Sequence, residues 1–233
     1  MDISGKGLKQ YLMPLVVAAQ SSKVDLVKLL LKKGADIAVK DGQGKTAFDV
    51  AANEDIRQIL QKQAQENFSE KVMALIQKKD ILDSEKAELQ GYLQAGADVN
   101  KYTSSIGTEK NTLIEAVKTD NASFFQWLLE NKADVLAKNQ DGFTALHFAA
   151  AKGHTLMTQE LLARGANIEE KTNNGFTVLS WVVFSGNLAM VQFLIEQGAN
   201  INAKDKNGDT ALHEAAQHGH KDVVELLLKN NAD

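Results

Sequence analysis

A seven-residue pattern that begins with threonine recurs along the chain at intervals of 33 residues. The pattern reads TALHFAA from Thr144, TVLSWVV from Thr177 and TALHEAA from Thr210. Weaker copies occupy earlier parts of the chain, at residues 111–117, 46–52 and 13–19. A fixed period of this length predicts a stack of small modules, because one such module cannot bury its own hydrophobic faces and must pack on a neighbour.

A second marker follows the start of most copies by 21 residues. It reads Gly-Ala-Asp or Gly-Ala-Asn at Gly34, Gly165 and Gly198, and it becomes Lys-Ala-Asp at Lys132. Glycine suits the left-handed residue that closes a helix, and threonine suits a helix N-cap. Each period therefore predicts two helices. The inner helix carries small alanines that allow close approach, and the outer helix carries the bulkier apolar residues.

A 33-residue unit with this helix start and this glycine close resembles the ankyrin repeat. The resemblance extends over nearly the whole chain of 233 residues. It implies an all-α fold, an ankyrin-repeat solenoid of about seven stacked helix-turn-helix units with short hairpin loops, in a single domain over residues 1–233. The implied repeats lie near residues 8–40, 41–66, 67–105, 106–138, 139–171, 172–204 and 205–233.

The third repeat is degenerate. Thr46 and Asn111 are 65 residues apart, which is one short of two periods. Gly96 closes the repeat between them, but no threonine or histidine opens it, and the preceding repeat lacks a closing glycine. We expect residues 53–90 to be irregular, with a missing or altered hairpin and a local change in stacking. Residues 72–76 are the expected inner helix of this repeat.

Residues 11–22, YLMPLVVAAQSS, allow two interpretations. Two lysines precede a short apolar run that ends in small residues, a pattern typical of a secretory signal peptide. The same run is in phase with the repeats, which favours a first inner helix. Since a cleaved leader has no reason to share the period, we interpret the stretch as part of the fold.

Composition limits the partners of the chain. There is no cysteine, so disulfides, zinc–cysteine sites and cysteine nucleophiles are excluded, and a reducing cytosol suits the chain. No apolar stretch approaches the ~20 residues that span a bilayer. Residues 111–233 hold 15 acidic against 10 basic residues, which disfavours a phosphate backbone as partner. We therefore predict neither membrane insertion nor nucleic-acid binding.

The repeat accounts for the sequence patterns that resemble catalytic, nucleotide-binding or metal-binding motifs. The sequence GQGKT at Gly42 resembles the end of a phosphate-binding loop, but Val39 stands where that motif requires glycine. The histidines at His147 and His213 occupy the fourth place of the repeated pattern, where the resemblance implies structural hydrogen bonds. No nucleophile elbow or metal-ligand spacing is present. The sequence predicts no catalytic residue, no metal site, no cofactor and no small-molecule substrate.

The positions that vary between repeats predict where a partner binds, because shared residues build the scaffold. The resemblance implies recognition on a concave face formed by hairpin tips and inner helices. Aromatic residues occupy this face in repeats five and six, where other repeats carry charged residues. The predicted partner-binding residues are Gln140, Asp141, Phe143, Phe148, Lys152, Asn173, Asn174, Phe176, Trp181, Phe184, Lys206, Asp209 and His218.

Some aromatic residues have a competing structural role. Phe148 and Trp181 could instead fill space inside the fold, beside small neighbours. Phe124, Phe125 and Trp127 align with apolar positions of the last outer helix, such as Val223 and Leu226, and are expected in the core.

The sequence favours a non-catalytic protein-interaction scaffold in the cytoplasm. The alternative is a targeting or substrate-recruiting region of a larger enzyme or secreted bacterial effector, whose catalytic part is absent from this chain. Leucines at residues 226–228 are not the polar face typical of a terminal repeat, as expected if a larger protein continues or the last repeat meets a partner. Frequent asparagine, lysine and glutamine suit an AT-rich genome. Because several intracellular bacteria deliver ankyrin proteins into host cells, the resemblance makes delivery into a host cell an expectation.

Overall fold

The computed structural model describes residues 13–104 and 107–233. In these residues the chain forms twelve α-helices and one two-stranded antiparallel sheet. They separate into two compact units, the first ending at Thr112 and the second covering Leu113–Asp233. The all-α fold is as expected, and the single domain over residues 1–233 stays a prediction. None of the helices in the described ranges is long and apolar enough to cross a membrane.

The first unit contains four helices and the small sheet. They are α1 (Pro14–Gln20), α2 (Val24–Lys32), α3 (Glu54–Leu75), α4 (Asp83–Gln94), β1 (Lys101–Thr103) and β2 (Glu109–Asn111). Proline at the first position of α1 costs no hydrogen bond, since that amide would be unpaired in any helix. Leu15 and Ala19 of α1 lie in the core with Val27 of α2. The predicted first inner helix is confirmed for residues 14–20, while Tyr11 and Leu12 lie outside the described residues.

Most of the region expected to be irregular, residues 53–90, is a single helix of 22 residues, α3, and the region ends within α4. The sequence of α3 contains neither glycine nor proline, so nothing interrupts the backbone hydrogen bonds. Buried residues recur every fourth position, which keeps one face of the helix against the core. These residues are Ile56, Leu60, Ala64, Phe68 and Val72. The expectation of a missing or altered hairpin is confirmed. Of the expected inner helix at residues 72–76, residues 72–75 form the last turn of α3, and Ile76 follows its end.

The copy of the repeat pattern at residues 46–52 does not form an α-helix but a series of turns, so the helix expected there is wrong. Ile56, the first buried residue of the next helix, lies ten residues after Thr46. In the later repeats the corresponding distance is thirteen residues, for example from Thr144 to Met157. Three missing residues amount to almost one helical turn. Asn53 then caps α3, its side chain accepting from the Ile56 amide at 2.9 Å.

The second unit contains four helix pairs. They are α5 (Thr112–Lys118) with α6 (Ala122–Glu130), α7 (Ala145–Ala151) with α8 (Thr155–Ala163), α9 (Val178–Ser185) with α10 (Leu188–Glu196), and α11 (Ala211–Gln217) with α12 (Lys221–Lys229). The inner helices α7, α9 and α11 pack on one another in series, and each packs on its own outer helix. Alanines at their contact, such as Ala149, Ala150 and Ala215, are fully buried.

The outer helix α6 buries the three aromatic residues expected in the core. Phe124, Phe125 and Trp127 are at most 4% exposed. The chain then leaves α6 through Lys132, which adopts the left-handed conformation with φ of 63°. Gly165, the equivalent residue one repeat later, adopts φ of 89°. The departure from glycine at Lys132 therefore keeps the turn but forces a side-chain-bearing residue into a strained backbone conformation.

Candidate partner-binding surface

Three hairpin tips of the second unit are tied together by their backbones. Each tip closes on itself; in the second of them the Thr172 amide donates to the Phe176 carbonyl at 3.0 Å. Neighbouring tips are then linked, since the Asn173 amide donates to the Asp141 carbonyl at 2.9 Å. The Lys206 amide repeats this bond to the Asn174 carbonyl at 3.1 Å. Backbone bonds do not depend on side-chain identity, so these links between the tips persist when the tip side chains change.

Lysine side chains reinforce the same stacking at an interval of 33 residues. Lys138 donates to the Lys171 carbonyl at 3.1 Å, and Lys171 donates to the Lys204 carbonyl at 2.8 Å. Lys138 also forms an ion pair of 2.7 Å with Glu170. This hydrogen bond from Lys138 holds the pKa of Glu170 below its usual range.

The threonine and histidine of the repeated pattern fix the start of α7. The amide of Thr144 donates to Nδ1 of His147 at 3.2 Å, and the Thr144 hydroxyl lies 2.9 Å from the same nitrogen. His147 is fully buried. Burial disfavours the charged imidazolium and lowers the pKa of His147 to about 4. The predicted structural role of this histidine is confirmed, and Thr210 and His213 repeat the contact in α11.

Six rings form a continuous series that we call the aromatic ladder, defined as Phe143, Phe148, Phe176, Trp181, Phe184 and His218. Phe143 is at its centre, with its ring centroid 5.4 Å from Phe148 and 4.7 Å from Trp181. Trp181 lies 6.1 Å from Phe176 and stacks on Phe184 at 5.5 Å, with 7° between the ring planes. The edge-to-face contact of Phe184 with His218, at 4.4 Å, brings α11 into the series.

None of these six side chains is buried in the core. Phe184 is 48% exposed, His218 is exposed, and Phe143, Phe148, Phe176 and Trp181 are half-buried. Each half-buried ring thus has one side packed on the fold and another that reaches solvent. The competing interior role of Phe148 and Trp181 therefore accounts for only part of their surface. Contiguous exposed apolar area of this kind is a common mark of an interaction site.

Charged groups lie at both ends of the aromatic ladder. The ammonium of Lys118 lies 5.6 Å from the ring centroid of Phe148, a cation–π contact, and forms an ion pair of 2.6 Å with Glu115. At the other end, Nε2 of His218 lies 3.7 Å from a carboxylate oxygen of Glu214. Glu214 is 8% exposed.

All thirteen residues that the sequence predicts for partner binding are partly or fully exposed in the second unit. The structure joins six of them in the aromatic ladder and places five on the tips: Gln140, Asp141, Asn173, Asn174 and Lys206. Lys152 follows the last residue of α7, and Asp209 precedes the threonine that opens α11. Their role in binding stays a prediction.

Sequence reasoning missed Lys118 and His220 as neighbours of this surface. Lys118 contacts Phe148, and His220 lies 6.0 Å from His218 between ring centroids, with Nε2 3.3 Å from the Phe184 carbonyl oxygen. The position of Lys118, one helical turn after the variable residue Glu115, was the available signal.

The other candidate sites are explained by structure. In the loop at Gly42, the Asp41 carboxylate accepts from the amides of Gln43 and Lys45 at 2.8 and 2.9 Å, so these amides already have an acceptor. A groove in the first unit runs between α3 and β1 and is lined by residues that include Gln65, Met73 and Asp98. Within residues 13–104 and 107–233, no three histidine, aspartate or glutamate side chains are close enough to hold a metal ion.

Comparison with known proteins identifies the family. A profile described as ankyrin repeats in three copies matches residues 73–172 and 156–233, and one described as ankyrin repeats in many copies matches residues 15–60. The chain belongs to the ankyrin repeat family, whose repeats are a general protein-interaction module.

Two relatives show similar identity to this chain. The nuclear factor NF-kappa-B p105 subunit of Gallus gallus is 29% identical over 159 residues, covering 65% of this chain and 16% of that protein. The ankyrin repeat protein YahD of Escherichia coli (strain K12) is 29% identical over 146 residues, covering 63% of this chain and 57% of YahD. The matched region is thus less than two thirds of either relative.

Proposed function

We propose that the second unit recognises a protein partner through the aromatic ladder and the adjoining hairpin tips. The observation that carries the proposal is the series of partly exposed rings centred on Phe143 and Trp181. Tryptophan and other aromatic side chains supply much of the binding energy at protein interfaces, because they bury a large area at small entropic cost. In other repeats of the second unit, the equivalent positions include the charged residues Glu115, Asp209 and Glu214.

The scaffold supports recognition because it holds the rings before a partner arrives. Backbone bonds join neighbouring tips to one another. The buried His147 fixes the start of the inner helix α7. Preorganisation reduces the entropy lost on binding and so favours affinity. In this proposal the protein performs no chemical step, uses no cofactor and takes no small-molecule substrate or nucleic acid.

Photo-crosslinking identifies the partner and tests the face it uses. A photoreactive residue at Asn173, on an exposed tip, is compared with one at Leu156, which is 82% exposed on the outer helix α8. The proposal predicts a crosslinked protein that is captured from Asn173 and not from Leu156. Equal capture from both positions would count against this face as the binding site.

Affinity for that protein then tests the aromatic ladder itself. Trp181→Ala should weaken binding by ~2 kcal/mol or more, about 30-fold, because it removes the partly exposed ring that contacts Phe143, Phe176 and Phe184. Leu156→Ala serves as the matched control, since it removes a more exposed apolar side chain outside the ladder. Circular dichroism should show that both variants keep a cooperative fold. Unchanged affinity in Trp181→Ala would remove this ring from the interface.

A second candidate function is recruitment of a partner to a larger enzyme or effector. The length of the relatives favours it, since the match covers 16% of one and 57% of the other. The size of the protein produced by its own gene, determined by mass spectrometry, distinguishes the two candidates. An added catalytic domain would support recruitment.

We propose the cytoplasm as the compartment in which binding takes place, on the ground that the chain has no cysteine and suits reducing conditions. Delivery into a host cell is the alternative. A reporter of secretion fused to the chain should stay with the producing cell in the first case and reach the host in the second.

A further inference from the structure

Repeat symmetry shows a cation–π contact that the chain makes over Phe148 and, within the described residues, does not repeat over Trp181. Lys118 lies over Phe148, which follows it by 30 residues. Trp181 is the equivalent of Phe148 in the next repeat, and Ala151 precedes it by the same 30 residues. Alanine carries no charge, and no lysine or arginine within the described ranges lies over the Trp181 ring. Tryptophan nevertheless attracts cations more strongly than phenylalanine.

An acidic group, Glu214, lies beside the His218 end of the aromatic ladder. Glu214 is the equivalent of Trp181 in the following repeat, and α9 packs on α11. Its carboxylate is 8% exposed, and its neighbour His218 contacts Phe184, which stacks on Trp181. In the part of the chain that the structure describes, no lysine or arginine pairs with Glu214. A cation from outside would give this carboxylate a second partner beside the His218 imidazole.

We propose that the ladder around Trp181 and Glu214 binds a basic side chain of the partner, an arginine or a lysine, with apolar residues beside it in the partner sequence. This inference rests on the proposed function and adds the chemistry of the partner. Arginine fits best, because its planar guanidinium stacks on aromatic rings and pairs with a carboxylate through two hydrogen bonds. The surrounding unit favours such a partner, since residues 111–233 hold 15 acidic and 10 basic residues.

Selection of random linear peptides on the full chain tests this chemistry. Enriched peptides should share an arginine or lysine next to an aromatic or aliphatic residue. Replacing that basic residue by glutamine in a synthetic peptide should weaken binding about tenfold, the loss expected for one well-placed cation–π contact with its ion pair. The probe in each titration is the peptide itself.

Two variants of the chain, Ala151→Lys and Glu214→Gln, test whether the basic residue of the peptide binds beside Trp181 and Glu214. Ala151→Lys supplies the cation that Lys118 supplies one repeat earlier, and should weaken binding of the basic peptide about tenfold. Ala151→Gln is the matched control, because it adds similar bulk without charge. Glu214→Gln should weaken binding of the basic peptide more than it weakens binding of the peptide in which glutamine replaces the basic residue. Circular dichroism verifies that the variant folds.

The outcomes separate this inference from the proposed function. If peptide binding is weakened by Trp181→Ala but does not require a basic residue in the peptide, the inference is overturned and the proposed function stands. Equal binding to Ala151→Lys, Ala151→Gln and Glu214→Gln would do the same. Peptides that bind Trp181→Ala as tightly as the original chain would count against both.

Discussion

The two units differ in the distance from the threonine of the repeated pattern to the first buried residue of the following helix. In the second unit this distance is thirteen residues, as from Thr144 to Met157. In the first unit it is ten residues, from Thr46 to Ile56. In the second unit this length allows an inner helix, a hairpin and an outer helix. In the first unit the inner segment forms only turns, and α3 continues for 22 residues without a hairpin. A spacing that is shorter by less than one helical turn thus accompanies a different path of the chain.

The two units also differ in how neighbouring loops are joined. In the second unit, backbone amides such as that of Asn173 join the tips. In the first unit, side chains of α3 hold β1: Gln65 donates to the Lys101 carbonyl at 2.8 Å and accepts from the Asp98 amide at 2.7 Å. Ser69 accepts from the Thr103 amide at 3.1 Å. We propose recognition by the second unit because its tips keep their backbone bonds whatever side chains they carry, and because the aromatic ladder lies there.

The largest expected change in unfolding free energy tests whether the long helix α3 is packed as firmly as the helix pairs of the second unit. Phe68 in α3 and Phe124 in α6 are both fully buried. Phe68→Ala and Phe124→Ala should each lower the free energy of unfolding by about 3–5 kcal/mol, since each leaves a cavity in a core. Urea denaturation followed by circular dichroism measures both. A cost for Phe68→Ala far below that for Phe124→Ala would show that α3 lacks a core of its own.

Acid should destabilise the second unit through His147. Its pKa is about 4 in the folded chain, against an ordinary value of 6.5, so the unfolded chain binds the proton more readily between these values. Stability should therefore fall as the pH drops from 6.5 to 4, by up to about 3 kcal/mol. His147→Gln should remove this part of the pH dependence in urea denaturation. His213→Gln, at the exposed equivalent position, is the control and should leave that dependence in place.

A smaller effect tests the difference between side-chain and backbone linkage. Gln65→Ala should cost about 1–2 kcal/mol of unfolding free energy, because it leaves two backbone groups without a partner. Asn173→Ala should cost less than about 0.5 kcal/mol, since its backbone bond to Asp141 remains and only an exposed side-chain bond to the Gln140 carbonyl is lost. Equal costs for the two variants, measured by chemical denaturation, would remove the distinction drawn between the units.

The smallest effect concerns a single backbone conformation. Lys132→Gly should raise the unfolding free energy by about 0.5–1 kcal/mol, because glycine relieves the left-handed strain but adds entropy to the unfolded chain. Gly165→Ala is the reverse substitution at the equivalent residue, where a Cβ would meet no atom within 4 Å, and it should destabilise. A shift of the melting temperature in the same direction for both variants would contradict the strain argument.

The period in the sequence predicts most of the second unit, because a repeated pattern implies the same helices wherever it recurs. Burial of Phe124, Phe125 and Trp127 follows from aligning outer helices with one another. The turns at residues 46–52 were not predicted because the pattern there keeps its threonine and alanines, and the shorter distance to Ile56 is the signal that could have indicated them. The stacking of Trp181 on Phe184 and the position of Lys118 over Phe148 depend on side-chain rotamers, which a one-dimensional pattern does not specify.

Nuclear magnetic resonance of the full chain with a selected peptide tests most directly whether recognition belongs to the second unit. The chain has two tryptophans, Trp127 in the core and Trp181 in the aromatic ladder, so the indole signal of Trp127 serves as an internal reference. The account predicts that peptide binding shifts the Trp181 indole signal and the amides of α7, α9 and α11, while the Trp127 signal stays in place. Shifts concentrated along α3 and β1, with the Trp181 signal unchanged, would contradict it.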